Sequence, residues 1–131
     1  FWSGQKIRAQ ICLSVGKSFG LREDLLLDIA SFTDLLHNAS LIHDDLIDDD
    51  VERRGCETPW KKYGKNKALL LGDLLIAKSF TVSSNIKISS SIKAAWALEI
   101  SNCISSAVRG AFNELDFNSK TFKKKNIHRS A

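Results

Sequence analysis

The amino-acid sequence predicts an all-α fold. Pro59 is the only proline in 131 residues, so no proline breaks a long helix elsewhere in the chain. Apolar side chains recur every three or four residues, which is helical spacing, and no segment alternates convincingly as a strand would. Apolar residues make up 44% and charged residues 26% of the chain, which is ordinary for a globular protein and excludes a wholly disordered one. These observations together favour a helical bundle.

Two helices are predicted in the first half of the chain. The first runs over about residues 4–19, and Gly20 is a natural stop. The second begins near Glu23 and Asp24, whose charges suit a first helical turn, and it ends near Asp48. It carries one broad apolar face, made by Leu25, Leu26, Ile29, Phe32, Leu36, Ala39 and Ile42.

Two further helices are predicted in the second half. Glycines and the proline mark residues 53–64 as a loop, and a helix over 67–82 follows. A serine-rich segment, 83–91, is read as a second loop, although a short strand over 81–88 is a rival interpretation. The last helix spans 92–115 with a single apolar stripe.

Charge is unevenly distributed along the chain. The net charge is +4, yet the stretch from Asp44 to Glu52 is strongly acidic. A basic tail follows at the other end, formed by Lys120, Lys123, Lys124, Lys125 and Arg129. No aromatic residues interleave with a basic face, so a solvated tail is favoured and no nucleic-acid partner is expected.

Cysteine content and hydropathy bear on the compartment. Three cysteines, Cys12, Cys56 and Cys103, form no disulfide framework by spacing, which favours an intracellular reducing compartment, cytoplasmic or mitochondrial alike. The most apolar run, 68–77, is short and contains Asp73, so no transmembrane segment and no signal peptide are expected. The chain lacks methionine altogether and is interpreted as processed or partial.

The informative cluster lies at the end of the second helix. Asp44 and Asp48 are four residues apart and project from one helical face, which Asp45 flanks. Three like charges repel one another, and they lie at the helix end where the dipole disfavours them. A hard divalent cation such as Mg²⁺ would resolve this conflict.

Alternative readings of this cluster remain open. A solvated acidic helix end is the simplest, and a calcium loop fits less well because the EF-hand order of acids and its central glycine are absent. Arg53 and Arg54 follow Asp48 closely in the sequence, and their guanidinium groups suit bidentate binding of a diphosphate. Carboxylates, loop and arginine pair together describe a metal-and-cation clamp for a diphosphate.

At this point the residues resemble a known family, the trans-isoprenyl diphosphate synthases, and its long-chain polyprenyl members in particular. Residues 41–48 are similar to the family's first aspartate-rich motif, DDxxD, and the likeness continues through Arg53-Arg54-Gly55, Tyr63-Gly64 and Gly72-Asp73. Upstream, residues 4–8 are similar to the GGKxxR segment. The resemblance implies an all-α isoprenoid-synthase-type bundle, here incomplete. Residues 1–131 would form the N-terminal and central part of one synthase domain.

The resemblance also implies a reaction and its residues. Asp44, Asp45 and Asp48 would bind Mg²⁺ and ionise an allylic diphosphate, which then condenses with isopentenyl diphosphate to give a longer polyprenyl diphosphate. Arg53 would lie near the allylic diphosphate. Arg54 and Arg8 would bind isopentenyl diphosphate, with Lys6 as a partial contributor. A homodimer or heterodimer is the expected assembly.

Two small residues bear on product length. The prenyl tail of the resembled family grows away from the aspartates, and short-chain members commonly place an aromatic residue four or five positions before the first one. Ala39 and Ser40 occupy these positions here, which favours a long product. The alternative is that both residues simply permit close helix packing.

Several departures from the family pattern leave catalysis uncertain. Gln5 replaces the lysine of GGKxxR, Trp60 stands where the family has a histidine, and no second DDxxD follows Asp50. The main alternative is therefore a non-catalytic subunit of a larger assembly. A terpene-cyclase-type lyase is a third possibility, disfavoured by the continuation Arg53-Arg54-Gly55.

Overall fold

The computed structural model describes the backbone of residues 7–129 and the side chains of residues 7–120 and of Lys124. Within these ranges the chain is almost entirely helical, which confirms the all-α prediction. The elements in order are α1 (Ile7–Ser18), α2 (Glu23–Asp48), β1 (Glu52–Arg53), β2 (Cys56–Glu57), α3 (Pro59–Tyr63), α4 (Lys65–Asn85) and α5 (Ser90–Arg129).

The four predicted helices are found, although the predicted start of the first, at residue 4, lies outside the described residues. The second helix has the predicted bounds, whereas α4 and α5 extend beyond theirs at both ends. The rival strand over 81–88 is wrong, because α4 continues to Asn85. The predicted loop 53–64 is wrong in its interior, where an antiparallel pair of two-residue strands and the short helix α3 occur.

The chain divides into two compact units, the first ending at Lys87 and the second beginning at Ile88. In the first unit, α2 packs against both α1 and α4 and forms the centre of the core. Phe32 of α2 meets Phe80 of α4 edge to face, with ring centroids 6.3 Å apart. The buried apolar side chains of this unit are Leu26, Ala30, Phe32, Ala39, Ile42, Ala68 and Ile86.

The apolar face predicted for α2 is the face that builds this core. Leu26, Phe32, Ala39 and Ile42 are buried, and the other predicted members are partly covered. Burial of a large apolar side chain contributes roughly 1.5–3 kcal/mol, so this face anchors the helix that carries the acidic cluster. By length and composition α2 is also the one described helix that could cross a bilayer, a test that core helices of soluble proteins pass as well.

The second unit consists of α5, described here by itself. The half-buried positions Trp96, Ile100, Ile104 and Ala111 follow the predicted stripe. None of the described α5 side chains is buried, and Phe112, for example, is 68% exposed.

Candidate functional site

The acidic end of α2 is followed by a chain reversal. Asp49 adopts a left-handed conformation (φ 55°), which aspartate tolerates better than most residues, and caps the helix. The Asp50 N–H donates to the Asp45 carbonyl oxygen at 3.0 Å, and the Thr58 N–H donates to the Val51 carbonyl oxygen at 3.0 Å. The chain after α2 is thereby folded back, and it returns Arg53 toward the helix that it has just left.

A two-residue turn closes the small hairpin. Arg53 pairs with Cys56, so Arg54 and Gly55 form the tip, and both have positive φ (51° and 77°). Positive φ at both central residues is the type I′ pattern, in which Asn-Gly is the usual pair. An arginine in the left-handed region costs about 1–2 kcal/mol, so local backbone preference does not explain Arg54.

Asp45 and Arg53 form a bidentate ion pair. Arg53 Nε donates to Asp45 Oδ2 at 2.9 Å, and Arg53 Nη2 donates to Asp45 Oδ1 at 2.7 Å. The Asp45 side chain is 1% exposed and that of Arg53 is 31% exposed, so the pair runs from the core to the surface. The hydrogen bond to Asp45 raises the pKa of Arg53 still further, and the guanidinium is held charged and fixed beside the acidic cluster.

Asp44 and Asp48 are the two carboxylates left facing solvent. Both residues are exposed, and within the described part of the chain no hydrogen bond or ion pair engages either carboxylate. Partial desolvation raises the pKa of Asp44, as do the charges of Asp48 and Asp45, against a lowering by Arg53 and His43. The repulsion predicted from the sequence is therefore present between neighbouring acids, while the third acid, Asp45, already has a cationic partner.

A group of arginines acts on His37, which lies two helical turns before Asp44 on the same side of α2. Desolvation lowers the pKa of this half-buried histidine, and the positive charges of Arg8, Arg53 and Arg54 lower it further, against a raising by Asp34. The three arginines come from α1, β1 and the hairpin turn. All three were predicted as substrate-binding residues from sequence, and their charges converge on one histidine.

A set of contacts after the hairpin fixes the loop that carries the arginines. The Asp50 carbonyl oxygen accepts from Thr58 Oγ1 at 2.6 Å and from Trp60 Nε1 at 2.7 Å. Lys65 Nζ lies 3.0 Å from Asp49 Oδ1 and 5.4 Å from the centroid of the Trp60 ring. Trp60 stood out in the sequence only as a departure from a family pattern, because residue spacing does not indicate the hydrogen bond that its indole N–H donates.

His43 joins α2 to α4, an arrangement that sequence reasoning did not foresee. Its Nε2 lies 3.2 Å from the Leu69 carbonyl oxygen and 3.4 Å from Asp73 Oδ1. Asp73 lies in the interior of α4, so its carboxylate serves this contact and caps no helix. Spacing alone could not reveal the contact, because it depends on the register between two helices.

Three other predicted residues are placed as follows. Ala39 is 1% exposed and lies in the core, while Ser40 is exposed and donates from Oγ to the His37 carbonyl oxygen at 2.7 Å. Lys6, together with Gln5, lies outside the described residues. The roles predicted for these residues remain predictions.

The acidic cluster provides carboxylate oxygens, which are the donor type that Mg²⁺ prefers. Within the described residues no three His, Cys, Asp or Glu side chains are grouped closely enough to hold a metal ion by themselves. Mg²⁺ does not require such a cage, since it is usually bound by one or two carboxylates together with substrate phosphates and water. Asp44 and Asp48 provide two carboxylates that are exposed and unpaired in the described chain, whereas both oxygens of Asp45 already accept hydrogen bonds from Arg53.

Comparison with solved structures identifies the class of fold. Geranylgeranyl pyrophosphate synthetase from the archaeon Geoglobus acetivorans is similar with a TM-score of 0.81 and 26% identity, over 88% of this chain and 38% of that one. A geranyltransferase from Helicobacter pylori, complexed with magnesium and isoprenyl diphosphate, is similar with a TM-score of 0.60 and 32% identity, over 71% and 33%. The chain therefore has the helical fold of isoprenoid synthases.

Sequence comparison identifies the family. The polyprenyl synthetase model matches residues 2–129, so the chain belongs to the polyprenyl synthetase family. A short chain isoprenyl diphosphate synthase from Methanocaldococcus jannaschii is 40% identical over 90 residues, which is 66% of this chain and 27% of that protein. The chain spans about a third of the length of the curated relatives it matches. The family predicted from the aspartate and arginine motifs is confirmed, whereas its long-chain subgroup stays a prediction, since the relative just described is named a short-chain synthase.

Proposed function

We propose that the protein carrying this chain is a prenyltransferase that condenses isopentenyl diphosphate with an allylic diphosphate to give a longer polyprenyl diphosphate. The family match and the prenyltransferase names of its relatives support this type of reaction. The present chain would supply the part of the site that binds and ionises the allylic substrate.

The observation that carries the proposal is the Asp45–Arg53 pair, in which the carboxylate is buried and the guanidinium is partly exposed. It holds one guanidinium, through two short hydrogen bonds, next to two exposed carboxylates of the same helix. A diphosphate needs cations for its oxygens, and a metal ion needs free carboxylates. The arrangement provides both on one helical turn and its returning loop, and an acidic helix end without this function would not need either.

The chemistry follows from what each group can do. Arg53, held charged by Asp45, would bind a diphosphate oxygen through the edge that remains exposed. Asp44 and Asp48 would hold Mg²⁺, which when bound neutralises the negative charge that the leaving diphosphate develops. Arg8 and Arg54, which act on His37 from two different elements, would bind the second diphosphate. The lowered pKa of His37 favours its neutral imidazole, which adds no charge to this group of cations.

Incorporation of radiolabelled isopentenyl diphosphate tests the proposal. The full-length protein, alone or with a partner subunit, is assayed with farnesyl diphosphate and Mg²⁺. Asp44→Asn and Asp48→Asn should each reduce incorporation by on the order of 10²-fold, the usual effect of losing one group that stabilises transition-state charge. Asp28→Asn is the matched control, because Asp28 is an exposed aspartate on the same helix, remote from the cluster. Its activity should equal that of the wild type.

The main alternative is a non-catalytic subunit of a larger assembly. Trp60 gives this alternative a structural basis, since its indole N–H is already used by the Asp50 carbonyl oxygen and does not serve a substrate. No incorporation by the full-length protein, alone or with a partner, would support it. A dimer is expected in either case and is measured by sedimentation.

A long product is the finer part of the proposal. Ser40 is small and exposed one turn before Asp44, so a growing prenyl tail would meet no bulky side chain there. Ser40→Phe should shorten the product, as measured by reversed-phase chromatography after dephosphorylation. Ala39 is a poorer test site, because its burial makes a larger side chain disruptive whatever the product.

A further inference from the structure

His43 faces two oxygen atoms of α4 through one nitrogen of its imidazole ring. Its Nε2 is 3.2 Å from the carbonyl oxygen of Leu69 and 3.4 Å from a carboxylate oxygen of Asp73. Neither a carbonyl nor a carboxylate oxygen has a hydrogen to give, so Nε2 must carry the hydrogen. Leu69 and Asp73 are one helical turn apart, and the imidazole N–H therefore points at a fixed height on α4.

Gly72 forms the recess that admits the imidazole ring. A Cβ atom added at Gly72 would lie 2.5 Å from Cδ2 and 2.9 Å from Cε1 of His43, and closer still to Nε2. Any larger residue at position 72 would therefore displace the ring and break its contact with Leu69. His43 and Gly72 form one unit: the ring provides the donor, and the missing side chain provides the space.

We propose that His43 is a positioning residue for the adjacent carboxylates, acting through Gly72 and the Leu69 carbonyl oxygen of α4. His43 directly precedes Asp44, so its attachment to α4 sets the rotation and height of the last turns of α2. Asp44 and Asp48 lie on those turns. Within the described residues no hydrogen bond or ion pair holds either carboxylate, so the position of each depends on the helix backbone. This role rests on the proposed metal and diphosphate binding.

Metal binding by the full-length protein tests the proposal without requiring turnover. Mn²⁺ binding in the presence of inorganic diphosphate is followed by electron paramagnetic resonance. His43→Leu keeps an apolar side chain but removes the N–H, and it should weaken Mn²⁺ binding about tenfold, the lower end of what loss of a ligand-orienting contact costs. His43→Gln retains an N–H at similar reach, so its binding should stay within about threefold of the wild type.

A double-mutant cycle tests the unit of ring and recess separately. Gly72→Ala should weaken Mn²⁺ binding in the wild-type background and have no further effect beside His43→Ala, because the ring that it displaces is then gone. Equal effects of Gly72→Ala in the two backgrounds would overturn the proposal, as would His43→Gln binding as weakly as His43→Leu. If the wild type binds and His43→Leu binds equally well, the positioning role alone is overturned. If the wild type binds no Mn²⁺ with diphosphate, the proposed function fails as well.

Discussion

Replacing Asp45 by asparagine should destabilise the fold far more than the same change at its neighbour. The substitution keeps the size of the side chain but removes the charge that two guanidinium nitrogens contact at 2.7 and 2.9 Å. It also turns an amide NH₂ toward a donor in a position that is 1% exposed. A buried hydrogen-bonded charge is thus replaced by a group that can accept from Arg53 on one side only.

The magnitude follows from the burial of the two partners. Breaking a fully buried ion pair costs about 3–5 kcal/mol, and a single hydrogen bond to a charged group contributes about 1.5–3 kcal/mol. The Arg53 side chain is 31% exposed, so water can solvate part of the guanidinium after the pair is lost. The expected loss for Asp45→Asn is therefore about 2 kcal/mol.

Urea unfolding followed by far-ultraviolet circular dichroism measures this loss. The transition midpoint should fall with little change in slope, since the surface exposed on unfolding is the same. Asp44→Asn is the matched control, because Asp44 is an exposed aspartate one residue away without an ion pair in the described chain. It should be neutral or slightly stabilising. A loss below about 0.5 kcal/mol for Asp45→Asn, the range of an ordinary surface change, would refute the idea that the pair anchors the hairpin.

Three further predictions concern single residues. The folded-state pKa of Asp44 is raised, so the stability that Asp44 contributes is fully present below its unfolded pKa and is lost as the pH rises through the folded value. Asp44→Asn should remove that part of the pH dependence measured by thermal unfolding. The folded-state pKa of His37 is lowered, so its contribution is present above the unfolded value and is lost as the pH falls through the folded one; His37→Gln should flatten the acid side of the profile. Arg54→Asn should raise stability by about 1 kcal/mol in urea unfolding, because asparagine suits left-handed φ, while weakening diphosphate binding measured by calorimetry.

Helix periodicity predicted the helical framework because burial follows it closely. The apolar spacing of α2 predicted its buried face, since that side of the helix packs on α1 and α4, and the acidic residues Glu23 and Asp24 predicted where the helix begins. The hairpin at 52–57 was not predicted, because each of its strands is only two residues long and too short to show alternation. The hairpin turns at Arg54 and Gly55, which both have positive φ. Asparagine, aspartate or glycine usually indicates such a turn in a sequence, and arginine does not.

The clustering of the candidate residues was predicted better than their arrangement, and their roles stay predictions. The fan of Asp44, Asp45 and Asp48 on one face follows from 100° per residue, and the structure shows that one member is buried while two are exposed. Which member is buried depends on how α2 is rotated against α4, and the sequence of one helix contains no such information. The contact of His43 with Leu69 was out of reach for the same reason.

The burial of Asp45 changes what the acidic motif is physically. Three exposed carboxylates on one helical turn would repel one another, and a metal ion would have to offset all of that repulsion. Pairing Asp45 with Arg53 neutralises one of the three within the fold, and the same pair ties the hairpin to the helix. The hairpin that carries Arg53 and Arg54 is therefore held in place relative to Asp44 and Asp48 before any ligand binds. If the site binds a metal ion and a diphosphate as proposed, this fixed arrangement favours binding, because less of the binding free energy is used to order the protein.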